Sequence, residues 1–249
     1  MRNLWIRRIV GATALAGVAA CTLPGGAANP LPAGNGTMAA DVAFLQKGLA
    51  KEKLLPREVP TLKAVAMLVA LNAQNRMAGP DAAKMAGLRD AALAVAAAVG
   101  KKDYAAAKTA AAGLDDAKPA ADAKPVQLET LHGFDLDALM SSFRKGTVGG
   151  LNLEADIKAQ SKAVTDPKAA AVVAGRVALI GEYTLVLPPE GIDAAKKKQW
   201  DGWSKEMTDL ATDITKEAAK GDAADKKKIG TAFKSLDANC NACHTVFRN

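Results

Sequence analysis

Cys240-Asn241-Ala242-Cys243-His244 is the one stretch of this chain whose residue types and spacing specify a chemistry. On a helix, positions three and four apart share a face, so both thiols and the imidazole point the same way. Two thiols so placed can each form a thioether with one vinyl group of a single haem. The adjoining imidazole then offers a nitrogen to the iron. C-x-x-C-H is the attachment signature of c-type haem, and histidine is a standard proximal ligand. Two other chemistries use the same residues. Structural zinc takes four ligands, yet the only other Cys is Cys21 and the only other His is His132, both distant in sequence. A thioredoxin-like dithiol calls for a βαβ setting, and no such pattern occurs. The spacing favours one covalent haem on Cys240 and Cys243, with His244 as its axial ligand.

The elements that must position this motif are helical. Ile229, Phe233, Leu236, Cys240, Cys243 and Phe247 step by three and four, which places the haem cysteines within the buried stripe of a final helix. Trp200, Trp203, Met207, Leu210 and Ile214 mark the helix before it, ending near Gly221. Val173, Val177, Ile180, Thr184 and Leu187 mark another, stopped by Pro188-Pro189. Leu153, Ile157 and Val164 continue a stripe up to Asp166-Pro167. Leu131, Phe134 or Asp135, Leu139 and Phe143 predict a helix to about Lys145, ended by Gly146 and Gly149-Gly150. Trp200, Trp203, Met207 and Phe233 are expected to wall the haem, a role compatible with plain core packing.

Residues 38–114 predict a separate helical bundle without Cys or His. Val42, Leu45 and Leu49 begin its first helix, with Pro56 and Pro60 expected to end it. Leu62, Val65, Leu68 or Val69, and Asn72 line a second. After Gly79-Pro80, Asp81 is a plausible N-cap for a third helix carrying Met85, Leu88, Ala92, Val95 and Val99, closed by Gly100. A short fourth runs from Tyr104 to Leu114. Met67, Met77 and Met85 read as core filler. Residues 115–125, with Lys118-Pro119 and Lys124-Pro125, read as a linker to a second domain over 126–249. The halves look like a repeat. Asp-Ala-Ala-Lys opens a helix in each, at Asp81–Lys84 and Asp193–Lys196, and Leu114-Asp115-Asp116-Ala117 parallels Leu236-Asp237-Ala238-Asn239.

Composition agrees with bundles. The 249 residues are 49% hydrophobic but only 4% aromatic, and Ala-rich chains with 3.6-period stripes form helices. The formal charge of +7 includes Arg2, Arg7 and Arg8 of the leader. The remaining basic residues cluster on helix faces, as at Lys196–Lys198 and Lys226–Lys228, which read as solvated faces or as a docking surface for an acidic redox partner. No aromatics interleave with them, which argues against nucleic acid. Residues 1–20 read as a signal peptide: the arginines precede an apolar run from Ile9 to Ala20, too short to span a bilayer. Val18-Ala19-Ala20-Cys21 is similar to a bacterial lipobox, with Cys21 lipid-modified and residues 21–37 a flexible tether. The competing reading is plain cleavage with Cys21 discarded.

Over its second half the chain resembles the class II cytochromes c, the cytochrome c′ family. The likeness rests on C-x-x-C-H at the very C-terminus, the tail Thr245-Val246-Phe247-Arg248, the Trp200–Trp203 helix and the Pro188-Pro189 connection. It implies that the second half is a cytochrome c′-like four-helix bundle binding one haem c; with the helical stripes of the first half, the expected fold is all-α, two tandem antiparallel helical bundles. The likeness also implies His244 as proximal ligand, Arg248 near the proximal side, and haem attachment outside the cytoplasm. In low-spin members a Met on the first helix is the second axial ligand, and Met140 stands one hundred residues before Cys240, close to that place. The family's Arg, however, usually precedes that position by four, whereas here Arg144 follows Met140 by four. Met140, His132 and an open or water-occupied position are the three alternatives. The expected role is a one-electron carrier in the cell envelope. Binding of NO or CO is the alternative, and an envelope scaffold whose haem-less half meets a partner is the third. No convergent acid, base and nucleophile set points to an enzyme.

Overall fold

The computed structural model describes residues 35–51, 55–121, 124–126, 128, 131, 136–145 and 150–247. The expected signal peptide, Cys21, His132 and Arg248 lie outside the described residues, and every regular element among those described is a helix. In chain order these are α1 (Asn35–Leu49), α2 (Leu55–Asn75), α3 (Ala82–Gly100), α4 (Tyr104–Ala112), α5 (Leu136–Met140), α6 (Leu153–Lys162), α7 (Pro167–Val186), α8 (Ala194–Ala218) and α9 (Lys226–Phe247).

Local chemistry explains several boundaries. Asp103, Asp166 and Asp193 each accept a hydrogen bond from a first-turn amide, at Ala106, Lys168 and Lys196, and so satisfy donors that a helix start leaves orphaned. Pro167 occupies the first turn of α7, where its missing N–H costs nothing. Asp81 stands at the N-cap of α3, but its side chain makes no capping bond. Pro56 and Pro60 fall at the start of α2, not at the end of α1, which stops at Leu49. Proline is tolerated in an opening turn, which suits Pro56, whereas Pro60 lies inside α2; neither ends α1 as expected.

The two halves pack in the same cyclic order. In the first, α1 lies on α2 and α4, α2 on α3, and α3 on α4; in the second, α6 lies on α7 and α9, α7 on α8, and α8 on α9. The Asp-Ala-Ala-Lys tetrapeptides begin at the N-cap positions of α3 and α8, the equivalent third helices. Close approach within the second bundle depends on Gly181 of α7, where a Cβ would lie 2.4 Å from Thr208 Oγ1 and 3.1 Å from its backbone nitrogen.

The halves share one continuous apolar core. α7 touches both α1 and α2, and α5 lies on α2. Polar links between α7 and the first half cross the junction. Arg176 of α7 donates to Asp41 Oδ1 of α1 through Nε (2.9 Å) and Nη2 (2.5 Å), and Asn75 Nδ2 of α2 donates to Glu182 Oε2 of α7 (2.6 Å). Described parts of the linker-like stretch are strapped to α3. Ala120 N donates to Ala83 O (2.9 Å), and a Cβ on Gly87 would meet Lys118 O at 1.9 Å.

Asp41 is fully buried, and desolvation pushes its carboxyl up to about 6 despite the Arg176 guanidinium, which pulls the other way. The folded chain therefore holds an extra proton between about pH 4 and 6 relative to the unfolded one, and stability falls as pH rises through that window. Asp41→Asn is expected to flatten this decline in thermal unfolding measured across pH 4–6. Gly87→Ala gains helix propensity but collides with a backbone carbonyl, so a net loss of about 1–3 kcal/mol in denaturant unfolding is expected.

Candidate functional site

Ile229, Phe233 and Leu236 are fully buried, and they set the rotation of α9 against α6 and α8. Continuing that stripe by threes and fours brings Cys240 and Cys243 to the wall of a cleft, half-buried, with His244 beside them. Phe247 closes the end of the helix edge-on to two indoles, its ring centroid 5.2 Å from Trp200 and 5.9 Å from Trp203. Trp200 is fixed in turn because its Nε1–H donates to Thr184 O of α7 (2.6 Å).

The cleft is built from five helices and one 3-10 turn. α9 contributes Cys240, Cys243 and His244; α8 contributes Trp200, Trp203 and Met207; α7 contributes Thr184; α6 contributes Glu154 and Ile157; Met140 and Phe143 come from α5 and the 3-10 turn after it. A second cleft adjoins it, sharing Met140, Trp200, Cys243 and His244 and adding Leu136, Arg144 and Phe247. Their empty volumes, counting space open to solvent, are about 750 and 900 Å³.

The thiols are free. Burial, with smaller contributions from Asp237 and the neighbouring thiol, pushes Cys240 up to about 12, and burial also raises Cys243. A working dithiol needs the reverse, a thiol lowered by a cation or a helix N-terminus. Among the described residues no three His, Cys, Asp or Glu side chains cluster as metal ligands. Two free thiols and an imidazole on one wall of an aromatic-lined cleft are a donor set that fits a haem.

Of the residues singled out from sequence, the structure brings Cys240, Cys243, His244, Met140, Trp200, Trp203 and Met207 to the cleft. Phe233 is instead fully buried in the core and is not among the lining residues. Glu154, Asn239 and Asp237 were missed. They are polar positions on the faces of α6 and α9, and only the packing of α6 and α8 on α9 brings them to the site. Met140 arrives by an unexpected route. The continuous helix expected to about Lys145 is a five-residue α5 followed by a 3-10 turn over Ser141–Phe143. The chain then folds back on itself: Gly150 N, Leu151 N and Asn152 N donate to Lys145 O, Ser142 O and Arg144 O.

The described residues thus form an α-helical bundle with two thiols and an imidazole on one wall of a cleft. In agreement, residues 153–248 match the family model described as Cytochrome C′, so the second half of this chain is similar to that haem-binding family. The match spans α6 to α9 and begins after Met140. Neither the curated proteins nor the solved structures yield a match to the chain.

In the haem-free protein at pH 8, Cys240 is expected to react with iodoacetamide roughly 100-fold more slowly than an unperturbed thiol, because thiolate supply falls faster than nucleophilicity rises. Cys243 should react faster than Cys240. Peptide mapping of timed alkylation reads both rates.

Proposed function

We propose that this chain is an exported c-type cytochrome that holds one haem c covalently and carries single electrons in the cell envelope. The carrying observation is the shared cleft wall of Cys240, Cys243 and His244, inside the region similar to cytochrome c′. Cys240 and Cys243 would hold the haem by thioether bonds, and His244 would be its proximal ligand. Bound there, a haem supplies an iron centre that exchanges one electron between ferrous and ferric states. The chain's own contribution is enclosure. Trp200, Trp203, Met207 and Ile157 keep water from the cleft, which holds down the reorganisation that accompanies a change of charge. Met140 lines the same cleft, carries a soft thioether sulfur, and is the proposed distal ligand.

Docking of a redox partner is proposed at the cleft end of α8. Lys196 and Lys198 are exposed there within one turn of Trp200, while Lys197 is held by Asp201 (2.7 Å). An acidic partner surface is complementary to this end. Residues 1–20 as export signal, and Cys21 as a lipid anchor, would place the protein on the periplasmic side of a membrane.

One observation favours the alternative of NO or CO binding. Met140 sits where the two clefts meet, on a helix of only five residues, so its withdrawal would leave room beside the iron for a diatomic ligand.

Expressed in a host that matures c-type cytochromes, the protein should keep its red colour through acidic organic extraction and give one haem per chain by pyridine haemochrome. Cys240→Ala with Cys243→Ala should abolish retention; retained colour in that double variant would sink the covalent reading. Met140→Ala should convert a low-spin ferrous spectrum to one that shifts on adding CO. If the unmutated protein already shifts, gas binding replaces electron carriage.

A further inference from the structure

We infer that the haem-less half is a positioning body for the distal wall of the cleft, holding residues 136–143 in place so that the approach of Met140 is set from α2 and α3. This rests on the haem reading above. Family likeness begins only at residue 153, yet Met140 and Phe143 line the cleft from outside the matched region. The packing shows what holds them there. α5 lies chiefly on α2, and the turn Ser141–Phe143 lies on α2 and α6. Leu139 is fully buried in the shared core.

The chain leading into this segment is held by a buried polar group of the first half. Arg89 of α3 is nearly sealed from solvent, and its Nη1 donates to Gln74 Oε1 (2.9 Å) and to Lys124 O (3.1 Å). Gln74 Nε2 then donates to Val126 O (2.6 Å). Arg89 Nε also pairs with Asp90 Oδ1 (2.7 Å), so this buried cation is balanced by a carboxylate while its Nη1 holds one backbone carbonyl, and leaving it unpaired is strongly unfavourable. The effect of Arg89 and Gln74 together is geometric: carbonyls 124 and 126 are pinned twelve and ten residues before Leu136. On the far side, the amides of 150–152 tie residues 142–145 to the start of α6. Asn75–Glu182 and Asp41–Arg176 then fix α2 and α1 against α7, and so fix the distance across which Met140 reaches. Gln74, Arg89, Asn75 and Glu182 are positioning residues, since none of them lines the cleft.

The test uses the full-length holoprotein. Asn75→Ala and Glu182→Ala loosen the junction at a partly buried site, and Arg89→Met removes the strap. Each is compared with the parent for haem content, ferrous spin state, CO association rate by flash photolysis, and unfolding midpoint. A surface control, Lys205→Ala on α8, removes only an exposed pair with Asp209. At unchanged haem content, the junction and strap variants should shift spin state towards high-spin and speed CO association about tenfold, with the control unmoved. The proposal is overturned if spin state and CO rate stay within twofold of the parent while the midpoint falls, since that is a purely structural role. Should Arg89→Met fail to fold, the Asn75 and Glu182 variants decide by the same readouts. Absence of haem from the parent would fail the haem reading instead, and the haemochrome assay shows which has failed.

Discussion

The rotation of α9 about its own axis is the constraint on which the site depends. Each residue advances a helix by about 100°, so a slip of one position would carry the motif from the cleft towards solvent. Ile229, Phe233 and Leu236 prevent that slip because all three are fully buried between α6 and α8. The turn that leads into α9 is held as well. Glu217, buried near the end of α8, accepts from Asp225 N, Lys220 and Lys228, which links the two helices where the chain reverses. Packing along the first half of the helix and polar links at its root thus aim two thiols and an imidazole about four to five turns from that root.

The opposite wall is controlled differently. Where α9 is one uninterrupted helix, the segment bearing Met140 is short, broken and folded back, and a Cβ on Gly150 would overlap Arg144 O at 1.9 Å. Such a segment cannot hold its own orientation, because five residues form barely more than one helical turn. It borrows rigidity from α2 on one side and from the start of α6 on the other. This makes the first half part of the same cooperative body as the cleft, in keeping with a core that runs through both halves without a seam.

The links across that junction differ in character. Asn75–Glu182 is a hydrogen bond to a mostly buried carboxyl whose affinity for protons is raised by desolvation. Asp41–Arg176 is a sealed ion pair whose burial outweighs its attraction, since Asp41 binds a proton more readily than a free carboxyl does. Neither link is a large source of stability at neutral pH. Both demand one alignment of α1 and α2 against α7, and apolar packing, being non-directional, does not supply that by itself.

How much of this was legible in the sequence differs from element to element. The stripes of α7, α8 and α9 were readable because long 3.6-period patterns report which face is buried, whatever it is buried against. The cysteine spacing was readable for the same local reason, as was the Asp-Ala-Ala-Lys echo between the halves. The linker-like residues 115–125 looked free because Pro, Lys and Ala carry no sign of a partner, yet Ala83 O and Gly87 of α3 receive them. The role of Arg89 was invisible too, since an Arg beside an Asp in a helix looks like a solvated pair until the distant acceptors, Gln74 and Lys124 O, are folded around it. Residue order along one helix thus determined the wall of two thiols and an imidazole. Only tertiary structure decided what faces it, because Met140, Phe143 and Glu154 reach the cleft through contacts between segments far apart in the chain, and no local periodicity encodes such contacts.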